Sequence, residues 1–243
     1  MILGALQLVN IKDNDCELIK PDIKIKKYMP VIKQNCYRLL RLVDNLIDIT
    51  KIDAGYLEIS LKNDDIVKVV EDIVQSVATY VESKGLQLIF DTDIEEKYMA
   101  FDADKIERIM LNLISNAIKF TKTSGQVYVS IYDNQNTIAI TVRDTGIGIP
   151  LEKHKEVFER FIQVDKSLSR KREGSGIGLS LVKSLVGMHG GRIYLNKDIT
   201  QGSEFIIELP VKVLDEVSVC NENLNIAENY IERIKVEFSD IYS

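Results

Sequence analysis

The sequence predicts an α+β protein, a helical hairpin followed by an α/β sandwich with helices on one face of a mixed β-sheet. Three observations carry that prediction. Residues 1–56 read as helix throughout, with apolar positions stepping by three and four. After "DAGY" the texture changes to short alternating runs separated by amphipathic stretches, as in two stacked layers of strand and helix. Apolar residues make up 45% of the 243 positions, enough for a sizeable core.

In chain order, Ile2, Leu3, Leu6 and Val9 give a short helical stripe. Ile32, Cys36, Leu39, Val43, Leu46 and Thr50 give a longer one, suited to packing along another helix. Two helices alone leave apolar surface open, so a homodimer through the hairpin is expected. The polar stretch "KDNDCELIKPD" suits the connecting loop, and Pro30 either begins the second helix or kinks it. Residues 57–61 read as strand, and 65–83 as a helix stopped by Gly85. "LQLIFDT" and "YMAFD" read as short strands, 103–121 as helix, and "GQVYVSIYD" and "NTIAITVRD" as two alternating strands. A short helix near 151–158, a helix after the glycine cluster at 174–178, and strands at 192–196 and 204–209 follow. The hairpin (1–56) and the sandwich (57–212) divide near residue 60, and 213–243 form a tail whose "RIKVEFSDI" alternates like an added strand.

Composition narrows the function. A net charge of −6 argues against nucleic acid as a partner. No run approaches the roughly 18 apolar residues of a membrane span. Cys16, Cys36 and Cys220 lie too far apart for a disulfide framework or a zinc site, and His154 and His189 form no local metal pair. The expected location is the cytoplasm, with any membrane anchor of the parent protein upstream of Met1.

Three stretches carry chemistry. In "DKIERIMLNLISNAIKF", Asn112, Asn116 and Lys119 lie at i, i+4 and i+7 and share one stripe. Asparagine costs about half a kcal/mol against alanine within a helix, so two on one line ask for a reason. An amide oxygen is a neutral ligand for Mg²⁺, and a lysine one turn on can meet a phosphate. A merely solvated polar face is the plainer alternative. In "RDTGIGIP", Asp144 ends a strand, and Gly146 and Gly148 free the backbone for close approach. A carboxylate there could accept from an exocyclic amine such as adenine's, although a simple turn explains the stretch in isolation. "EGSGIGLSLVK" sets Gly174, Gly176 and Gly178 before a helix. It fits neither a P-loop nor a dinucleotide fingerprint, because Leu179 and Ser180 follow Gly178. The polar segment before it, with Lys166, Arg170, Lys171 and Arg172, reads as a lid that counters phosphate charge or as a solvated loop.

Order and spacing join these signals. "NLISNAIKFT", "DTGIGIP", "VFERF" and "GSGIGLSLVK" occur in that order over about seventy residues. They resemble the N, G1, F and G2 boxes of the catalytic domain of bacterial sensor histidine kinases. The resemblance implies the fold shared with gyrase and heat-shock-chaperone ATPases, with ATP and Mg²⁺ as cofactors and a response regulator receiver domain as partner. It implies that Asn116 holds Mg²⁺, that Asn112 supports the metal site, that Lys119 contacts phosphate and that Phe120 packs near the adenine. Asp144 would accept from the adenine amino group, Gly148 would let the base close in, and Ser203 of "GSEF" would help to seat it. Arg160 matches the basic residue of the F box, and Gly176, Gly178 and Leu179 open a helix whose N-terminus faces phosphate. Two departures stand out. Gln163 replaces an arginine common in the family, and Thr200 replaces a glycine upstream of "GSEF".

The resemblance also sorts the chemistry. The hydrolytic ATPases of the fold resemble one another in a glutamate at the position of Asn112, where it acts as a general base. Asparagine cannot take a proton, which favours transfer to a histidine over hydrolysis. The family's acceptor box, similar to "HELRTPL", is missing from this sequence, and "ILGALQLV" resembles the segment just after it. The acceptor is therefore expected about two helical turns before Met1. Two readings follow: a catalytic core that phosphorylates a histidine elsewhere, or a regulatory fragment that binds ATP and dimerises with intact kinases.

Overall fold

The computed structural model describes residues 23–162, 176–215 and 234–239. The helix α1 (Ile23–Asp53) leads into a small antiparallel pair, β1 (Lys62–Asp65) with β3 (Tyr98–Phe101). Between them lie α2 (Ile66–Ser83) and β2 (Gln87–Thr92). Then follow α3 (Ala103–Phe120), β4 (Gln126–Asp133), β5 (Thr137–Asp144), α4 (Gly178–Met188), β6 (Arg192–Leu195) and β7 (Ser203–Pro210). The larger sheet runs β2-β4-β5-β7-β6, with β2 parallel to β4 and the other pairs antiparallel.

Local signals set the helix ends. Asp65 caps α2 by accepting from the Val67 amide, and Asp102 caps α3 by accepting from that of Lys105. Gly85 (φ +71°) and Gly190 (φ +73°) take the left-handed conformation just past α2 and α4, where a side chain would be strained. Alternation in the strands turns Val127, Val129 and Ile131, then Ile138, Ile140 and Val142, then Phe205, Ile207 and Leu209 onto one buried face. The apolar faces of α2, α3 and α4 close over it in a single core. The outer face of the sheet carries no helical layer among the described residues. No helix among them is long and apolar enough to cross a membrane.

Several expectations need correction. Residues 57–61 form no strand; pairing begins at Lys62. The helix expected near 151–158 is two 3-10 turns, Leu151–Lys153 and Glu156–Phe158. Of the two placements open to Pro30, the structure has the one inside α1. Among the described residues of the tail there is no added strand. Residues 234–237 are helical, and Phe238 after them is fully buried. Ile234 and Phe238 are four apart, so so short a run satisfies the helical period as well as the strand period.

On α1 the predicted stripe faces outward, with Leu39 61%, Val43 51% and Leu46 49% exposed. The face turned inward is Tyr37, Arg41, Asn45 and Ile49, which repeats every four residues and is half polar. Hydropathy cannot single out such a face, because charge pairs rather than apolar area hold it. The hairpin loop, the first helix and the segment 163–175 lie outside the described residues.

Candidate nucleotide site

The site is built around the second half of α3. Asn112 is 1% exposed and Lys119 is likewise buried, while Asn116 is half-buried beside them. Asn116 Nδ2 faces Asn112 Oδ1 at 3.4 Å, and Asn112 Nδ2 is buried with no protein acceptor. Gly178 closes over this amide. A Cβ there would stand 2.8 Å from Asn112 Nδ2 and Oδ1. The absent side chain thus lets the first turn of α4 meet the asparagine directly. α4 begins without a side-chain cap, so its leading amides remain open to an anionic ligand.

The floor lies at the end of β5. Asp144 is 4% exposed and accepts from the Gly146 amide at 2.7 Å. Ser203 pairs with it across β5 and β7 and donates to its carboxylate from backbone and hydroxyl. Burial pushes the Asp144 pKa up to about 6, only partly offset by those hydrogen bonds. Three glycines make the corner possible. A Cβ on Gly146 would sit 2.4 Å from Phe120 O, and one on Gly148 (φ +75°) 2.9 Å from Gly202 O. The Ile147 amide donates to Phe120 O at 3.3 Å, which stitches this turn to the end of α3. Lys119 Nζ lies 5.5 Å from the centre of the Phe120 ring.

Gly202 was not singled out in the sequence. Its φ is +76°, and a Cβ there would come within 1.8 Å of Asp144 O. The close approach needs Gly202, two residues after Thr200. A glycine just before a strand opposite "RDTG" is the signal that could have found it.

Arg160 is not brought into this cluster. Its guanidinium makes a two-pronged pair with Asp53 at the end of α1, 2.6 Å for each bond. The pair holds the Asp53 carboxyl below its usual range and raises the arginine further. Asp53 carried no sequence signal, since its partner is 107 residues away. Beside Arg160, the Phe161 amide donates to Gly176 O at 2.9 Å, so the "VFERF" turn abuts the start of the glycine segment. Leu179 packs against the core. Lys166, Arg170, Lys171, Arg172 and Gly174, with Gln163, lie outside the described residues. Both histidines have ring nitrogens engaged in the fold. His154 Nε2 is 3.0 Å from Ile149 O, and His189 bridges Leu185 O (2.8 Å) and the Asp102 amide (3.2 Å).

A buried acceptor at a strand end, glycine-cleared space beside it and an asparagine-lined helix define an ATPase-type nucleotide fold. Residues 101–213 match the family described as histidine kinase-, DNA gyrase B- and HSP90-like ATPase. Its relatives are histidine kinases, and the chain is similar to their catalytic core. It is 37% identical over 195 residues to hybrid signal transduction histidine kinase D of Dictyostelium discoideum, covering 78% of this chain and 13% of that protein. It is 31% identical to circadian input-output histidine kinase CikA of Synechococcus elongatus, over 79% of this chain and 26% of the relative. The chain therefore spans about a quarter or less of these two proteins. Among solved structures, full-length ShkA in complex with AMPPNP superimposes with a TM-score of 0.70 at 25% identity, over 82% of this chain and 42% of that one. Histidine kinase ThkA in complex with response regulator protein TrrA shares the fold, with a TM-score of 0.63 at 21% identity over 86% of this chain and 57% of that one.

Proposed function

We propose that the chain is the ATP-binding core of a two-component sensor histidine kinase, passing the γ-phosphoryl group to a histidine other than His154 and His189. The observation that carries this reading is Asn112. It is buried, has an amide N–H without an acceptor, and stands against the first turn of α4. That arrangement suits phosphate oxygens and offers no base to activate water. Asp144 would accept from the adenine amino group while Ser203 fixes its orientation, and Gly146, Gly148 and Gly202 leave room for the base. Lys119 would face phosphate across Phe120. Of the amides, Asn116 has its oxygen free of the Asn112 contact and fits a single protein ligand for Mg²⁺, the rest coming from phosphate and water. Bound there, the ion would neutralise phosphate charge.

In the transfer, an imidazole nitrogen of the acceptor forms the new N–P bond. The bond from the γ-phosphorus to the bridging oxygen breaks, ADP leaves with that electron pair, and the imidazole proton passes to solvent. The outward stripe of α1 supports a homodimer, and a response regulator receiver domain would take the phosphoryl group onward.

The test mixes γ-labelled ATP and Mg²⁺ with this chain and a histidine-bearing two-helix domain from a relative. Acid-labile, base-stable label should appear on the supplied domain and not on this chain. Label on His154 or His189 would overturn the reading. Nucleotide binding without transfer to any supplied domain would favour the regulatory fragment.

A further inference from the structure

Residues 234–239 do more than cover apolar surface. Phe238 is fully buried, with its ring edge-on to Tyr80 of α2 at 4.9 Å between centroids. The backbone on either side of that anchor is held from two directions. Ser115 of α3 donates to Glu237 O at 3.2 Å. From α1, Arg41 Nη1 donates to the same carbonyl at 2.8 Å, Arg38 Nε to Ser239 O at 3.2 Å and Gln34 Nε2 to Ser239 O at 3.1 Å. The Arg41 guanidinium also pairs with the Glu237 carboxylate at 3.0 Å, both side chains 10% exposed. One short segment thus joins α1 to α2 and α3.

We propose that residues 234–239 act as a strap that sets the position of α1 on the sandwich, and that α1 is released when the strap lifts. The rest of the α1 seam is thin. Towards its C-terminal end Arg108 meets Asp48 and Asn45, and Arg160 meets the exposed Asp53. Ile49 alone on that seam joins the main apolar core with near-complete burial. Seven residues separate Gln34 from Arg41, so the strap grips about 10 Å of helix at 1.5 Å per residue, on the part of α1 far from the Asp53 turn. Without that grip, the seam reduces to its C-terminal end and the N-terminal half of α1 can swing. The bonds are mostly from side chains of α1 to carbonyls of the strap. Along the gripped stretch Tyr37 is the one buried apolar side chain of α1 that opening would uncover, which suits a reversible contact. Phe238 is the anchor, because its burial keeps those carbonyls in reach.

The experiment measures distance, and it requires neither ATP nor transfer, so its failure is separate from failure of the kinase reading. In a background with Cys16→Ser and Cys220→Ser, spin labels on Cys36 of α1 and on Glu95→Cys in the exposed β2–β3 loop report the helix position. Samples are diluted into unlabelled chain to suppress any signal between copies. The unmodified strap should give one narrow distribution. Phe238→Ala should broaden it and speed amide exchange over 34–49 by about tenfold or more, while the sandwich still melts cooperatively. Phe238→Leu should keep the narrow distribution, and Glu237→Gln should show partial broadening. An unchanged narrow distribution in Phe238→Ala would overturn the strap. Loss of the sandwich's own cooperative melting in that variant would also overturn it, by making the segment an ordinary part of the core.

Discussion

At the end of β5, backbone meets backbone so closely that a single methyl group has nowhere to go. A Cβ on Gly202 would lie 1.8 Å from Asp144 O, and one on Gly146 2.4 Å from Phe120 O. Along α1 the contacts are of another kind. They are charged side chains reaching across a gap: Asp53 to Arg160, Asp48 to Arg108, Glu237 to Arg41. The first region is fixed by steric fit and a desolvated carboxylate. The second is fixed by ion pairs, of which the exposed Asp53–Arg160 pair is the one that water and salt can readily replace. On the proposed readings, the base-binding floor stays the same while α1 changes position, and the two chemistries allow that division.

The largest expected effect is at the floor. Gly202→Ala meets both a positive φ and the clash with Asp144, and should cost at least about 2 kcal/mol of stability. Urea unfolding would read the loss, and nucleotide binding should vanish with it. A variant as stable as the parent would break the claim that close backbone approach builds this corner.

Asp144→Asn separates stability from binding. The shape is kept but the acceptor becomes an amide, so ATP affinity should fall about ten- to hundredfold. Stability at neutral pH should stay equal or rise, since an ionised buried carboxylate is no longer held in the fold. Calorimetric titration and thermal melts would give the two signs; affinity and stability falling together would count against the assignment.

The same group predicts a pH dependence. Its folded pKa, about 6, is raised above the unfolded value. Its stabilising contribution is therefore complete below about 3.8 and is lost as pH rises through about 6. Binding runs the other way, because the adenine amine needs the ionised acceptor. Affinity should weaken as pH falls through 6, and Asp144→Asn should flatten that profile. A slope that persists in the variant would assign the titration to another group.

The smallest effect belongs to the seam. Asp53→Asn or Arg160→Ala should leave the melting of the sandwich unchanged, since the pair is exposed. Amide exchange at residues 51–57 should quicken, and added salt should mimic the substitution in the parent chain. A destabilised sandwich would show that the pair does more than hold the end of α1.

Much of the floor was legible in advance, because its chemistry is written in neighbours along the chain. Asp144, Gly146 and Gly148 occupy alternate positions of one five-residue turn, and Asn112, Asn116 and Lys119 follow the helical period of α3. Gly202 escaped notice because its reason for being glycine is a carbonyl 58 positions earlier, brought close only by the β5–β7 pairing.

The sequence by itself determined most of the helices and strands of the sandwich, and where α2 and α3 begin and α2 and α4 end. Those choices depend on periodicity, caps and glycine freedom, all within a few residues. The tertiary structure decided which side of α1 turns inward, that Arg160 pairs with Asp53, and that residues 234–237 wind into a helical turn before Phe238. These depend on partners that the chain brings together from 60 to 205 positions away, and short stretches of sequence carry no record of a partner so distant.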